Sequence, residues 1–337
     1  MTSAQRVMAA ITGDKADRRA FTLTLSLYGA ALTGCPLPSY HADPSKYLEG
    51  QLAVRDAVEP DILFSPFVLP LEGRAFGCTL ADQQAGPPNV RRPAFRSAAE
   101  LLAHPLPRVD ADPGLAYLVE SVRQMVQSLD GETPVAGILT APTDLAAMLL
   151  GLEPWLEALL FDPDTARRVL EATGAHFRAM SAAMMEAGAA CIVTPIMCCN
   201  PRIINPEIAR TTVLPALREA FAAAPGPVVF HHGGNPLSQY LGLFKDVPNV
   251  LGFVLDERDS FIEARQALGP GHLLMGGISG PHMSARKPGD IRRRVEHLLD
   301  DRRDDARFIL ASSHADVPLD TPLENLLAVR DAVREHG

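Results

Sequence analysis

The chain has 337 residues, 47% of them hydrophobic and 21% charged, with a formal net charge of -9. That composition belongs to a core-forming globular protein and excludes the disordered and fibrous classes, while the acidic balance argues against a general nucleic-acid binder, which needs a basic face for phosphates. Met1 to Arg19 carries charges throughout, and no apolar run reaches the roughly 18 residues of a membrane span, so the expectation is a cytoplasmic protein.

The opening pattern predicts a helix from Ser3 to Ile11 that ends at Gly13, followed by a first strand, Phe21 to Leu25. A helix capped by Asp43 ahead of Pro44 runs through Leu52 to Val58, and Ile62 to Phe64 is a second strand. Residues 72–113 are rich in Gly, Pro and Arg with little periodicity, which predicts an irregular insertion with short hairpin strands, a candidate lid over a cavity. An amphipathic helix at 115–129 leads to strand three, Val135 to Leu139, whose tip carries Thr140 to Asp144. Helices are predicted at 144–150, 153–160 and 163–187, then strand four, Ala190 to Thr194, which leaves through Cys198 and Cys199. Pro206 opens a helix to Phe221, and Val228 to His231 is strand five. Leu251 to Leu255 is strand six, ending in Asp256; Leu273 to Met275 is strand seven, running out to Ser279; Phe308 to Ala311 is strand eight, with His314 beyond its tip. Helices of ten or more residues are expected between these last strands, and Thr321-Pro322 opens a closing helix to about Val333.

Eight strands alternating with helices predict a single-domain α/β fold, a (β/α)8 TIM barrel over residues 1–337, a length such barrels reach with insertions. In such a barrel the carboxyl ends of all strands open on one cavity, so the polar run His231-His232-Gly-Gly-Asn235 at one tip can meet side chains from distant tips. Strand alternation places His232 on the opposite side from His231. Five cysteines without a leader do not describe a disulfide framework; Cys35, Cys78 and Cys191 read as small buried hydrophobes, whereas the adjacent Cys198 and Cys199 are candidates for chemistry.

Several patterns together resemble one family. They are Thr140-Ala-Pro-x-Asp144-Leu-Ala, Gly151-x-Glu153, Asp162-Pro, Phe230-His231-x-Gly-Gly234-Asn235, Met275-Gly-Gly-Ile-Ser279, and Leu310, His314, Pro318 and Thr321-Pro-x-Glu-Asn325. Over nearly the whole chain the sequence resembles the uroporphyrinogen decarboxylase superfamily of (β/α)8 barrels. The region up to Gly77 and the His-x-x-Gly-Asn element look more like its methylcobamide:coenzyme M and related corrinoid methyltransferases. True decarboxylases carry an arginine-rich loop after strand one, an aspartate after strand two and a tyrosine after strand three. Here those places read Ser26-Leu-Tyr28-Gly-Ala, Pro66 and Met148.

The methyltransferase resemblance implies zinc held by His-x-Cys at the strand-five tip and Cys at the strand-eight tip, with methylcobalamin or another corrinoid as co-substrate on a partner protein. His231 matches the first ligand, but Gly233 and His314 stand in place of the cysteines. Because zinc accepts mixed thiolate and imidazole sets, His231, His314 and Cys198 or Cys199 are the expected metal ligands. Asp256, Asn235 and His232 are candidate catalytic residues, and Tyr28, Glu72, Asp144 and Ser279 candidate substrate contacts. The function expected is transfer of a methyl group between a small thiol, methoxy or methylamine-like compound and cobalt. The alternatives are a lyase that uses His231, His314 and Asp256 without metal, and a barrel that only binds a corrinoid or a partner; homo-oligomerisation stays open.

Overall fold

The computed structural model describes all residues, Met1–Gly337. Eight parallel strands form one sheet curled into a nearly closed barrel: β1 (Phe21–Thr22), β2 (Leu63–Phe64), β5 (Val135–Ile138), β6 (Cys191–Pro195), β7 (Val228–His231), β8 (Val250–Leu255), β9 (Leu273–Ser279) and β10 (Phe308–Ser313). Their order, β1-β10-β9-β8-β7-β6-β5-β2, is that of a (β/α)8 barrel in which every strand but the two at the seam pairs on both sides. No ladder joins β1 to β2. Instead the Asp61 N–H donates to the Phe21 carbonyl, the Phe21 N–H to the Asp61 carboxylate, and the Thr22 hydroxyl to the Ile62 carbonyl. Arg6 and Arg18 flank the buried Asp61 and supply the charge that burial would otherwise leave uncompensated.

Alternation along the strands sorts the core into two sets. Ala136, Val193, Val229, Val254, Met275 and Ile309 belong to a compact inner cluster within the barrel. The alternate residues, Phe230, Phe253, Leu274 and Phe308 among them, belong to the larger cluster between barrel and helices. His231 lies two residues beyond Val229 and Asp256 two beyond Val254, so the inward register delivers both to the upper end of the barrel.

Several features differ from the sequence reading, beginning with the first strand, which ends at Thr22 rather than Leu25. The segment 72–113 does contain a hairpin, β3 (Thr79–Ala81) with β4 (Asn89–Arg92), and a short helix, Ala98–Ala103. It docks on the helical layer, however, with the Phe95 N–H on the Leu149 carbonyl and the Cys78 thiol on the Met148 carbonyl. The helix expected from Pro206 to Phe221 is interrupted by a π-type turn at Ala209–Val213, just ahead of Pro215, whose ring cannot continue the i−4 bonding. Two of the helices of ten or more residues expected between the later strands are shorter: between β7 and β8 there is only a 3-10 turn, Ser238–Tyr240, and one helical turn, Leu241–Phe244, and between β8 and β9 an eight-residue helix, Phe261–Leu268. No helix is long and apolar enough to cross a bilayer.

The outward face of β7 carries the largest aromatic contact in the shell. Phe230 is fully buried and packs against Phe221, Phe244 and Phe253 at centroid distances of 5.2, 5.5 and 5.6 Å. Phe230→Ala is expected to lower the unfolding free energy by about 3–5 kcal/mol in denaturant titration, the cost of a large cavity in a core that cannot collapse around it.

Candidate functional site

β7 stops at His231, and the short turn beyond it shapes the site. The His232 N–H still donates to the Val254 carbonyl at 3.1 Å, but Gly233 and Gly234 then take left-handed conformations, with φ of 66° and 96°. The chain turns there instead of continuing as a strand. His232 therefore does not point away from His231, as alternation predicts; the two rings stack at 4.5 Å with their planes 25° apart. His314, beyond β10, is itself left-handed at φ 76°, a conformation that costs a non-glycine residue about 1–3 kcal/mol and is held by its surroundings. Its amide donates to His232 Nε2 at 3.1 Å.

Asp256 joins these groups. Its carboxylate is fully buried, with Oδ2 3.0 Å from His314 Nε2 and 3.5 Å from His232 Nδ1. Arg258 clamps the same carboxylate: its backbone N–H and Nε donate to Oδ1, both at 2.8 Å, and its terminal nitrogen donates to Oδ2 at 2.7 Å. Burial alone would raise the acid's pKa, but the Arg258 donors and the neighbouring imidazoles overcome it and hold Asp256 below its usual range. Burial pushes His232 down to about 4 despite Asp256, and lowers His231 well below its usual value, so both rings are neutral near pH 7. Three residues beyond Asp256, Asp259 accepts the N–H groups of Leu237, Ser238 and Asp256, tying the loop after β7 to the loop after β8.

His231 faces a different space. Its Nδ1 accepts the Gly233 N–H at 3.1 Å, which leaves the proton of the neutral ring on Nε2. The ring lines a chamber of about 30 Å³ at the top of the inner core, together with Thr24, Phe67, Val254, Met275 and Ser312.

The expected Cys-His-His constellation is not assembled. Cys198 and Cys199 are buried on a 3-10 turn, Met197–Cys199; the Cys198 N–H donates to Asp144, and the Cys199 thiol donates to the Ile196 carbonyl. Burial and the Asp144 charge push both thiols far up, the reverse of what a thiolate ligand needs. The side chains that could share one ion are instead His232, Asp256 and His314, whose ligand atoms lie within 4.8 Å of one another. Two imidazoles and a carboxylate suit a divalent ion, and the 3.0 and 3.5 Å separations bracket the edge of about 3.3 Å of a tetrahedral zinc shell. Two engagements compete with such an ion. Arg258 occupies Oδ2, and the Gly234 and His314 amides approach the two ring nitrogens of His232, one more acceptor than a neutral imidazole offers.

The remaining candidates divide between rim and scaffold. Glu72 is fully buried and accepts the amide and hydroxyl of Thr140 at 2.8 and 2.6 Å, with His176 Nε2 3.1 Å away; it ties three elements together beneath the surface. Tyr28 is buried with its hydroxyl on the Thr321 carbonyl. Ser279 ends β9 with its hydroxyl buried and unpartnered. The Asn235 N–H closes the turn on the His232 carbonyl, and the Asn235 carbonyl accepts from Asn200. Asp144, beside the Cys198 amide, is pushed up to about 7 by burial. Arg258 and Asp259 had no role in the sequence reading; the run of four charged residues Asp256-Glu-Arg-Asp259 at a strand tip is the signal for them.

A parallel barrel with imidazole and carboxylate groups gathered at its carboxyl rim is the architecture of an α/β-barrel enzyme scaffold. Within that class the chain belongs to the uroporphyrinogen decarboxylase (URO-D) family, whose pattern matches residues 2–336. The sequence is 27% identical to a uroporphyrinogen decarboxylase of Roseiflexus sp. (strain RS-1), over 83% of this chain and 81% of that one. It is 23% identical to the methylcobamide:CoM methyltransferase of Methanosarcina barkeri, over 97% of this chain and 96% of that one. Among solved structures, a methyltransferase from Methanosarcina mazei superposes with a TM-score of 0.86 at 20% identity, covering 99% of both chains.

Gly233 cannot carry a side chain without disturbing its neighbour. A Cβ there would meet the Met197 backbone nitrogen at 2.5 Å and its Cα at 2.8 Å, whereas one at Gly234 would meet nothing within 4 Å. Gly233→Ala is therefore expected to lower the melting temperature by several degrees more than Gly234→Ala, which bears only the left-handed strain of about 1–2 kcal/mol. A second expectation concerns Asp144. Its folded pKa of about 7 lies above that of an unfolded aspartate, so stability is lost as pH rises from about 4 to 7 and is level beyond. Asp144→Asn removes that loss while keeping an acceptor for the Cys198 amide, and its melting temperature should gain on wild type at pH 8 but not at pH 4.

Proposed function

We propose that this protein is a corrinoid-dependent methyltransferase that moves a methyl group between a small substrate and the cobalt of a corrinoid carried by a partner protein. The observation that carries the reading is the chamber of about 30 Å³ beside His231, under the rim where His232, Asp256 and His314 converge. It has room for about one water or one methyl group. A tetrapyrrole needs the several hundred Å³ of an ordinary ligand pocket and cationic clamps for its carboxylates. The full-length match to a methylcobamide:CoM methyltransferase and a 22% identical methylated-thiol–coenzyme M methyltransferase of Methanosarcina mazei supports the same reading.

His232, Asp256 and His314 are the residues that would hold a metal, with zinc the default for this donor set. A bound ion would stabilise the deprotonated form of a thiol or leaving group. His231 lines the chamber, carries its proton on Nε2 and stays neutral, so it would orient a polar atom next to the methyl group without adding charge. Phe67, Val254 and Met275 keep water from the reacting carbon. Arg258, with its side chain 58% exposed, can swing outward when an ion takes its place on Asp256. The substrate class rests on the methyltransferase resemblance: a small thiol, methoxy compound or methylamine-like compound, whose methyl group the chamber has room to admit.

Protein purified without chelator is expected to hold near one equivalent of zinc, which Asp256→Asn and His314→Ala lose and His231→Ala retains. Removing the competing guanidinium in Arg258→Gln should tighten zinc about tenfold in chelator competition. Cobalamin methylation or demethylation is read from its visible spectrum with a thiol as partner. Folded protein that is metal-free and leaves methylcobalamin unchanged would transfer the assignment to a lyase using Asp256 and the histidines as acid and base.

A further inference from the structure

The amino end of the barrel, opposite the site, encloses a second cavity. It measures about 310 Å³ and is lined by 17 residues, of which 15 are hydrophobic and none is charged. Its walls are inner-facing side chains near the strand starts, including Ile62, Ala136, Val229 and Ile309, and its floor is the amino-terminal helix, Ser3–Thr12, through Val7, Met8 and Ile11. Barrels of this type fill their interior with layers of branched side chains; an alanine at 136 leaves this layer short of volume. Phe64, Val193 and Met275 line both this cavity and the chamber beside His231, so a single layer of side chains separates the two.

We propose that this cavity is a binding site for a small neutral apolar molecule, aromatic or alkyl. Protein interiors leave few voids larger than a water, and a dry apolar cavity of about 150 Å³ already takes up benzene. The present one has about twice that volume and opens beside Met8, which is 57% exposed. Nothing in its lining could replace the hydration of an ion or a sugar, so charged and polyhydroxyl ligands are excluded. The occupant would rest on Phe64, Val193 and Met275 and thereby share a wall with the catalytic chamber. This inference does not depend on the methyl-transfer reading.

Cys191 lies in the lining and serves as a reporter; burial raises its pKa to about 12, so it reacts slowly and only with reagent that enters. The probe is benzene, with the full-length protein. Saturating benzene is expected to raise the melting temperature of wild type and to slow methylthiolation of Cys191 by methyl methanethiosulfonate several-fold, read by peptide mass. Ala136→Leu fills the space and should keep or exceed the wild-type melting temperature while losing both effects; Val229→Leu is a second, smaller filling should the first fail to fold. Unchanged Cys191 reactivity with benzene, equal protection in a filled variant, or a marked loss of stability in both fillings would overturn the proposal.

Discussion

The carboxylate of Asp256 holds the rim together. It is fully buried, yet it stays ionised because Arg258 gives it three hydrogen bonds and two imidazoles stand within 3.5 Å. Such a charge away from water is tolerated only while its partners stay in place. Acid and partners come from three different strand tips, so the ion pair fixes the relative positions of the loops after β7, β8 and β10. Asp259 repeats the device with backbone donors and makes the loop after β7 lean on the loop after β8. The exposed side chain of Arg258 beside its buried acid gives the rim one component that can exchange for another cation.

The donor groups at this rim differ from those the resemblance implies. The thiolates implied by the resemblance are gone from the strand tips, and Gly233 leaves no space for one to return, since a Cβ there would strike the Met197 backbone. The adjacent cysteines do not compensate, being neutral and turned into packing. What remains is an oxygen and nitrogen set, harder in character than zinc-thiolate and less biased toward soft metals. The stacked pair His231 and His232 divides two tasks between neighbouring residues, one ring belonging to the chamber and the other to the carboxylate.

Much of this could be read in the sequence. The eight strands were legible because short β-branched runs alternate with amphipathic stretches, and the tips were legible because each ends in polar or glycine residues. His314 and Asp256 could be placed at the rim for that reason. The partner of His314 could not: period-two alternation holds only while the strand lasts, and two left-handed glycines end it at His231. The roles of Cys198, Glu72 and Tyr28 depend on burial, which a local pattern does not report. Arg258 escaped notice because an arginine after a strand is usually a solvated residue, and only the fold shows its guanidinium turned back onto the acid two positions earlier.

The seam between β1 and β2 gives the barrel an uneven mechanical character. The strands whose tips build the rim, β7, β8, β9 and β10, are consecutive staves joined by backbone ladders, with one register shift at Val228 and Val229 near the start of β7. The one junction without a ladder lies outside that arc, held by one backbone bond from Asp61 to Phe21 and by the side chains of Asp61 and Thr22. With no ladder of its own, the seam is the junction where local opening of the barrel costs least, and it lies outside the half of the wall that carries His232, Asp256 and His314.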